Sequence, residues 1–222
     1  VQHRVAGIPF EIALFTNLTR DHLDYHGSME NYAQAKRLLF LTPTLKSAVI
    51  NADDVFGCEL LTEFSPKLAC YAYTSQSHNH AQIINRSHSN IAMIRAENIY
   101  LHANGISAYI HTPWGEGELH STLFGRFNLS NLLAVITTLG ILGIPFAQIL
   151  QHLSTLSTVA GRMQRFGGGA QPTVIVDYAH TPDALEKTLT AMREHSQQQL
   201  WCVFGCGGDR DTGKRPLMAR IA

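Results

Sequence analysis

A lysine stands where a helix face should be apolar. After the run Phe15-Thr16-Asn17-Leu18-Thr19-Arg20-Asp21-His22-Leu23-Asp24-Tyr25-His26-Gly27, the residues Met29, Tyr32, Ala33, Lys36, Leu39 and Phe40 recur at the three-and-four spacing of one helical face. Burial disfavours the charged ammonium, so Lys36 must reach water along its stem, meet an anion or change chemically. Carboxylates and imidazoles are close by in sequence, at Asp21, His22, Asp24 and His26. They follow Ile12 to Phe15, which reads as a buried strand, and in an open α/β sheet ligands bind at the loops leaving strand ends.

Further stretches carry polar chemistry. Gly125-Arg126-Phe127-Asn128-Leu129-Ser130-Asn131 leads into a long apolar helix, Leu132 to Leu142, and Asn128 or Ser130 can serve as its N-cap. Asp177, in Asp177-Tyr178-Ala179-His180-Thr181-Pro182, is an acid in a loop approaching a helix. Gly208 to Lys214 fits the G-x-x-x-x-G-K pattern of a phosphate loop. However, Arg215 replaces the Ser or Thr that magnesium needs, and Asp209 and Asp211 would face a phosphate with negative charge, so the match is rejected. His78-Asn79-His80 lies in a Ser-, Asn- and His-rich stretch from Thr74 to Asn90 and reads as surface loop rather than metal pair.

The elements that must position these residues follow from capping and periodicity. Ser28 and Glu30 suit the start of the helix that carries Lys36. Ala48 to Asp54 and Ala69 to Tyr73 read as short buried strands. Ile99 to His120 alternates around Asn104-Gly105 and Gly115-Glu116-Gly117, which predicts antiparallel hairpins. Gly143-Ile144-Pro145 stops the long helix, and another follows from Phe146 to about Leu153. Gly167-Gly168-Gly169-Ala170-Gln171-Pro172 reads as a flexible joint. Thr173 to Val176 is then expected as a buried strand, Asp183 to about His195 as a helix, and Leu200 to Phe204 as the strand completing a βαβ unit.

Composition sets the outer bounds. The 222 residues allow one large domain or one and a fraction, with 45% apolar and 15% charged side chains, enough to bury a core. Zero formal charge and a pI near 7.3 give no electrostatic footprint for nucleic acid or an anionic membrane. No apolar run approaches the roughly 20 residues of a membrane helix. Cys58, Cys70, Cys202 and Cys206 lack Cys-x-x-Cys spacing and read as reduced thiols.

The run Thr16 to Gly27 followed by Tyr32-Ala33-Gln34-Ala35-Lys36 resembles the central domain of the Mur ligases, and among them the tripeptide synthetases of the MurE type. The resemblance implies an α/β fold. Its first part is a mostly parallel sheet flanked by helices with an added antiparallel section, over residues 1–161. Residues 162–222 are then the start of a C-terminal Rossmann-like ligase domain, truncated within its βαβ unit. It further implies that Lys36 is carbamylated and that His22 and this carbamate are catalytic ligands of Mg2+. Gln2 and Arg4 inherit a UDP-sugar contact, against the alternative of a solvated terminal charge. Arg210, in Gly205-Cys206-Gly207-Gly208-Asp209-Arg210-Asp211, inherits a contact to the incoming diamino acid. For ATP, Asn131 matches the asparagine that hydrogen-bonds adenine, where a side-chain amide offers donor and acceptor together. Arg162 matches the arginine approaching the phosphates, and Asp177 the aspartate near the ribose.

By the same resemblance, the whole enzyme is an ATP-dependent, amide-forming ligase of peptidoglycan synthesis. It would be cytoplasmic and monomeric at full length, acting on UDP-MurNAc-L-Ala-D-Glu and adding a third amino acid, expected to be meso-diaminopimelate. The family's phosphate loop would lie upstream of Val1 and its Asp-Asn-Pro-Arg motif downstream of Ala222, so the chain is expected to be an excised, inactive piece. A folylpolyglutamate synthetase-like ligase and a non-catalytic nucleotide-binding fragment are the alternatives.

Overall fold

In a computed structural model, the structure describes residues 5, 7–19, 23–76, 91–196, 198–207 and 212–222. Gln2, Arg4, Asp21, His22, Arg210, His78-Asn79-His80 and most of the Gly208–Lys214 match lie outside the described residues.

Short apolar segments build one six-stranded sheet in chain order: β1 (Ile12–Phe15), β2 (Ser47–Asn51), β3 (Ala69–Thr74), β4 (Ile91–His102), β5 (Gly105–Thr112) and β6 (Gly115–Ser121). β1 to β4 pair in parallel, and β4, β5 and β6 pair antiparallel. β2 is buried along its whole length, as a strand covered on both faces must be. Its alternation sends Val49 into one core and Ala48 and Ile50 into the other.

Helices cover both faces. α1 (Leu23–His26) and α2 (Met29–Arg37) follow β1, and α2 continues into a 3₁₀ turn, Leu38–Leu41, whose Phe40 is buried. The Ser28 hydroxyl caps α2 by accepting from the Asn31 N–H at 3.2 Å. No residue of α2 itself is fully buried, so the stripe around Lys36 lies half in the core rather than within it. Arg37 Nε donates to Glu63 Oε2 at 2.7 Å, tying α2 to α3 (Val55–Phe64). α3 rests on the end of β2 through Gly57, where an added Cβ would lie 2.0 Å from the Asn51 carbonyl oxygen. α4 (Arg126–Ile141) and α5 (Phe146–Ser154) complete the opposite face, with Leu129, Leu132, Leu133 and Ile136 packed on Ile94, Ile106 and Ile110.

The remainder is smaller. β7 (Gln164–Gly167) and β8 (Thr173–Val176) form an antiparallel hairpin, followed by α6 (Pro182–His195) and α7 (Lys214–Ile221). Thr181 caps α6, and Pro182 supplies its first-turn φ. Phe124, Met163, Ala191 and Met192 bury a joint core between this part and the large sheet.

The long helix begins at Arg126, not Leu132, so Asn128 and Ser130 lie inside it and its N-cap is Gly125, at φ 88° and with no side-chain cap. The Gly167–Pro172 run closes the β7–β8 hairpin rather than forming a loose joint, since Gly167 and Thr173 are register partners. β8 is a strand but not a buried one, because among the described residues it pairs only with β7, and Val174 and Val176 are exposed. Leu200 to Phe204 forms no strand, and Trp201 and Val203 are exposed. Its β-branched and aromatic residues carry strand propensity, but ladder pairing needs a neighbour, and none of the described residues provides one.

Candidate functional site

The carboxyl ends of β1, β2 and β3 are stitched by side chains. Asn51 Nδ2 donates to the Thr16 carbonyl at 2.7 Å, while its Oδ1 accepts from the Asp53 N–H at 2.9 Å. Asp53 Oδ2 accepts from the Ser75 N–H at 2.9 Å, and its Oδ1 from the Thr74 hydroxyl. Asp54 caps α3 through Gly57 and also accepts from the Leu18 N–H at 2.9 Å. Tyr73, fully buried between these strands, donates to the Phe15 carbonyl at 3.2 Å, and burial pushes its phenol pKa up so that it stays a donor. These bonds fix the loop that leaves β1 before it reaches Asp21 and His22.

Beside those strand ends runs a groove of about 900 Å³. Thr16 and Asn17 line one wall, Asn131 of α4 another, and Arg162 and Asp177 the side contributed by the smaller part. Thus the three residues singled out for ATP share one cavity with the start of the Thr16–Gly27 run.

The orientation of Asn131 follows from a chain of hydrogen bonds. Asn128 donates through Nδ2 to the Phe124 carbonyl at 2.8 Å, which can only accept. Its Oδ1 is therefore the atom that meets Asn131, 3.3 Å from Asn131 Nδ2. Asn131 retains its own Oδ1 and a second N–H, one acceptor and one donor on an exposed amide, the pair an adenine edge requires.

Arg162 is exposed, with its guanidinium 4.6 Å from the centroid of the Tyr178 ring, an arrangement that holds a cation at the groove edge without neutralising it. Asp177 is more occupied. Its Oδ2 accepts from the Met163 N–H at 2.9 Å, and its Oδ1 from the Ala179 N–H at 2.9 Å and the Thr188 hydroxyl at 3.2 Å. A carboxylate has about four acceptor positions, so Oδ2 retains room for one further donor.

Lys36 lies outside the groove lining. It is half-buried, with Nζ 5.0 Å from the centroid of the Tyr32 ring, against which His26 stacks at 4.7 Å. Among the described residues, no group of three or more His, Cys, Asp or Glu side chains is gathered to hold a metal. An ammonium repels a cation, so Lys36 fits a magnesium site only once carbamylation turns it into an oxygen donor.

Sequence reasoning missed two groove cations and a buried histidine. Arg126 directly follows the N-cap glycine and donates to Glu194 at 2.9 Å, and Lys187 stands four residues after its partner Asp183, also at 2.9 Å. The i,i+4 spacing was the only local signal for Lys187. His195 closes α6 and reaches back 70 residues to Gly125, which no local pattern reports.

Residues 1–139 match the Mur ligase middle domain. The chain belongs to the Mur ligase family. Residues 161–222 of this Mur ligase chain match the Mur ligase, glutamate ligase domain. A protein of Pseudomonas aeruginosa named UDP-N-acetylmuramoyl-L-alanyl-D-glutamate--2,6-diaminopimelate ligase is 53% identical over 222 residues, covering 100% of this chain and 43% of its own length. A protein of the same name from Coxiella burnetii is 51% identical over 221 residues, covering 100% of this chain and 44% of its own length. The chain thus spans less than half the length of these curated relatives. A solved structure of a ligase with that name superposes with a TM-score of 0.72 at 35% identity, over 100% of this chain and 43% of the other. An "FPGS-AMPPCP-folate complex" reaches 0.71 at 16% identity, over 97% of this chain and 49% of the other, which is a likeness of fold alone. No helix among the described residues is long and apolar enough to cross a membrane.

Proposed function

We propose that this chain is part of an ATP-dependent ligase that joins meso-diaminopimelate to UDP-MurNAc-L-Ala-D-Glu, acting in the cytoplasm, where ATP and UDP-linked precursors occur. The observation that carries this assignment is the single groove shared by Thr16, Asn17, Asn131, Arg162 and Asp177. The names of the relatives at 51% and 53% identity support the substrates. Residues 1–161 would belong to the central ATP-binding domain and residues 162–222 to the C-terminal ligase domain.

Asn131 would read the adenine with its outward Oδ1 and free N–H, Asp177 Oδ2 would accept from a ribose hydroxyl, and Arg162 would face the phosphates. Gln2 and Arg4 would hold the UDP-sugar, and Arg210 the diamino acid. The D-glutamate γ-carboxylate oxygen attacks the γ-phosphorus of ATP, giving ADP and an acyl phosphate. The neutral amine of the amino acid then adds to the acyl carbon, and collapse of the tetrahedral intermediate expels phosphate as the nitrogen loses its proton. The groove between the two parts supports the juxtaposition that makes this second step effectively unimolecular. His22 and carbamylated Lys36 would hold magnesium, which when bound offsets charge on the phosphates.

Phosphate release by the full-length ligase tests this assignment, using ATP, UDP-MurNAc-L-Ala-D-Glu and either meso-diaminopimelate or lysine. Release is expected with diaminopimelate. Equal kcat/KM with lysine would overturn the amino-acid assignment, and no release with either would overturn the reaction.

A further inference from the structure

His195 is the last residue of α6, and it is 7% exposed. Its Nε2 accepts from the Gly125 N–H at 2.8 Å, and its Nδ1 lies 2.8 Å from the His102 carbonyl oxygen at the end of β4. A carbonyl can only accept, so Nδ1 carries the proton and Nε2 must be bare. The ring also packs on Phe124, with centroids 4.7 Å apart.

The contact lands on a sensitive position. Gly125 is the N-cap of α4 and brings no side-chain cap of its own, and a Cβ there would meet Phe127 at 2.6 Å and Ala191 at 3.0 Å. Phe124 supplies the carbonyl that orients Asn128, which in turn meets Asn131. One buried imidazole therefore contacts both Phe124, whose carbonyl orients Asn128, and Gly125, the N-cap of the turn that carries Asn128 and leads to Asn131.

We infer that His195 is a positioning residue for the nucleotide site, a neutral latch that seats the first turn of α4 and thereby aims Asn131 into the groove. This rests on the assignment of the groove to ATP. Protonated imidazolium has no acceptor for the Gly125 N–H, so the latch opens when the ring gains its second proton.

The surroundings favour the neutral ring. Burial lowers its pKa below the ordinary value near 6.5, outweighing the His102 carbonyl bond and Glu194, which raise it, while the His102 ring adds to the lowering. Arg126 of α4 is paired with Glu194 beside it. Arg165 of β7 stands over Phe124 at 5.8 Å, donating to the Ala103 carbonyl. A histidine with a folded pKa below its unfolded one binds fewer protons folded than unfolded. The latch is therefore complete above about pH 6.5 and is lost as pH falls from there through the folded pKa.

The test measures the Kd of a non-hydrolysable ATP analogue for the full-length ligase at pH 8 and pH 5.5, with amide exchange of residues 125–131 followed in parallel. Wild type is expected to bind more weakly at the lower pH, by less than about tenfold because the folded pKa lies below the ordinary value near 6.5, with faster exchange at Gly125. His195→Phe keeps an aromatic ring but lacks the acceptor for Gly125 and the donor to His102, so it should bind weakly at both values. His195→Gln offers an amide oxygen to Gly125 and should bind tightly at both. His195→Phe binding and titrating like wild type would overturn the latch. If that variant fails to fold, His195→Gln decides, and a wild-type pH dependence in it overturns the latch equally. Wild type that binds no nucleotide at pH 8 would instead overturn the assignment of the groove itself.

Discussion

Lys36→Ala in the full-length ligase is expected to lower kcat on the order of 10³-fold, the several kcal/mol of charge stabilisation that a metal-held carboxylate supplies in phosphoryl transfer. Acetate or another short-chain carboxylate should restore part of it, because an added anion can occupy the space that the truncated side chain leaves. The physical ground is the half-buried position of Lys36, with Nζ at the Tyr32 ring. A cation–π contact of this kind contributes only about 0.5–1 kcal/mol, too little to compete with conversion to a carbamate that ligates a metal. A second readout is independent of turnover. Labelled bicarbonate should give a carbamate ¹³C resonance in wild type that is absent from Lys36→Ala. A mutant within tenfold of wild type, or lacking any response to carboxylate, would contradict the role of Lys36.

Asp177→Ala is the second large effect, and it should act on stability before it acts on chemistry. The carboxylate holds the Met163 and Ala179 N–H groups and the Thr188 hydroxyl, joining the entry of β7, the exit of β8 and α6. Met163 has φ 49°, an uncommon conformation for a non-glycine residue, and its side chain is 2% exposed in the joint core with Phe124, Ala191 and Met192. Hydrogen bonds to charged groups contribute about 1.5–3 kcal/mol each, and they share one group here, so a loss of about 3 kcal/mol is expected, read as a lower urea midpoint. Asp177→Asn should recover about half, since its amide nitrogen cannot accept from the N–H that faced the replaced oxygen. An unchanged urea midpoint with weakened ATP binding would make Asp177 a ligand group alone rather than a latch.

The parallel strands were legible because their apolar runs are short and bounded by polar loops: β3 falls within one residue of the expected position, and β2 starts within one residue of it but ends at Asn51, three residues before the expected Asp54, which instead caps α3. Turn chemistry likewise marked the Asn104-Gly105 hairpin. The start of α4 was misplaced because capping preference points to Asn128 or Ser130, whereas the cap is a glycine whose amide is satisfied by His195 from another part of the chain. The Gly167–Gly169 run was read as a joint because composition cannot distinguish a loose linker from a hairpin turn that needs positive φ at each of those glycines. At the site, the Asn131 amide could be flagged from its motif, but its outward Oδ1 depends on the fixed polarity of the Phe124 carbonyl two hydrogen bonds away. Asp177 was legible as a polar loop residue and illegible as a latch, because Met163 and Thr188 lie 14 and 11 residues from it.

The position of the bound adenine decides whether this groove is the nucleotide site. Photolabelling of the full-length ligase with 8-azido-ATP, followed by peptide mapping, tests this directly. The label is expected on the segment Gly125–Asn131 at the head of α4, and Asn131→Ala should weaken labelling without moving it. Labelling of the Gly205–Pro216 run, or of the β4–β6 hairpins, would contradict the assignment.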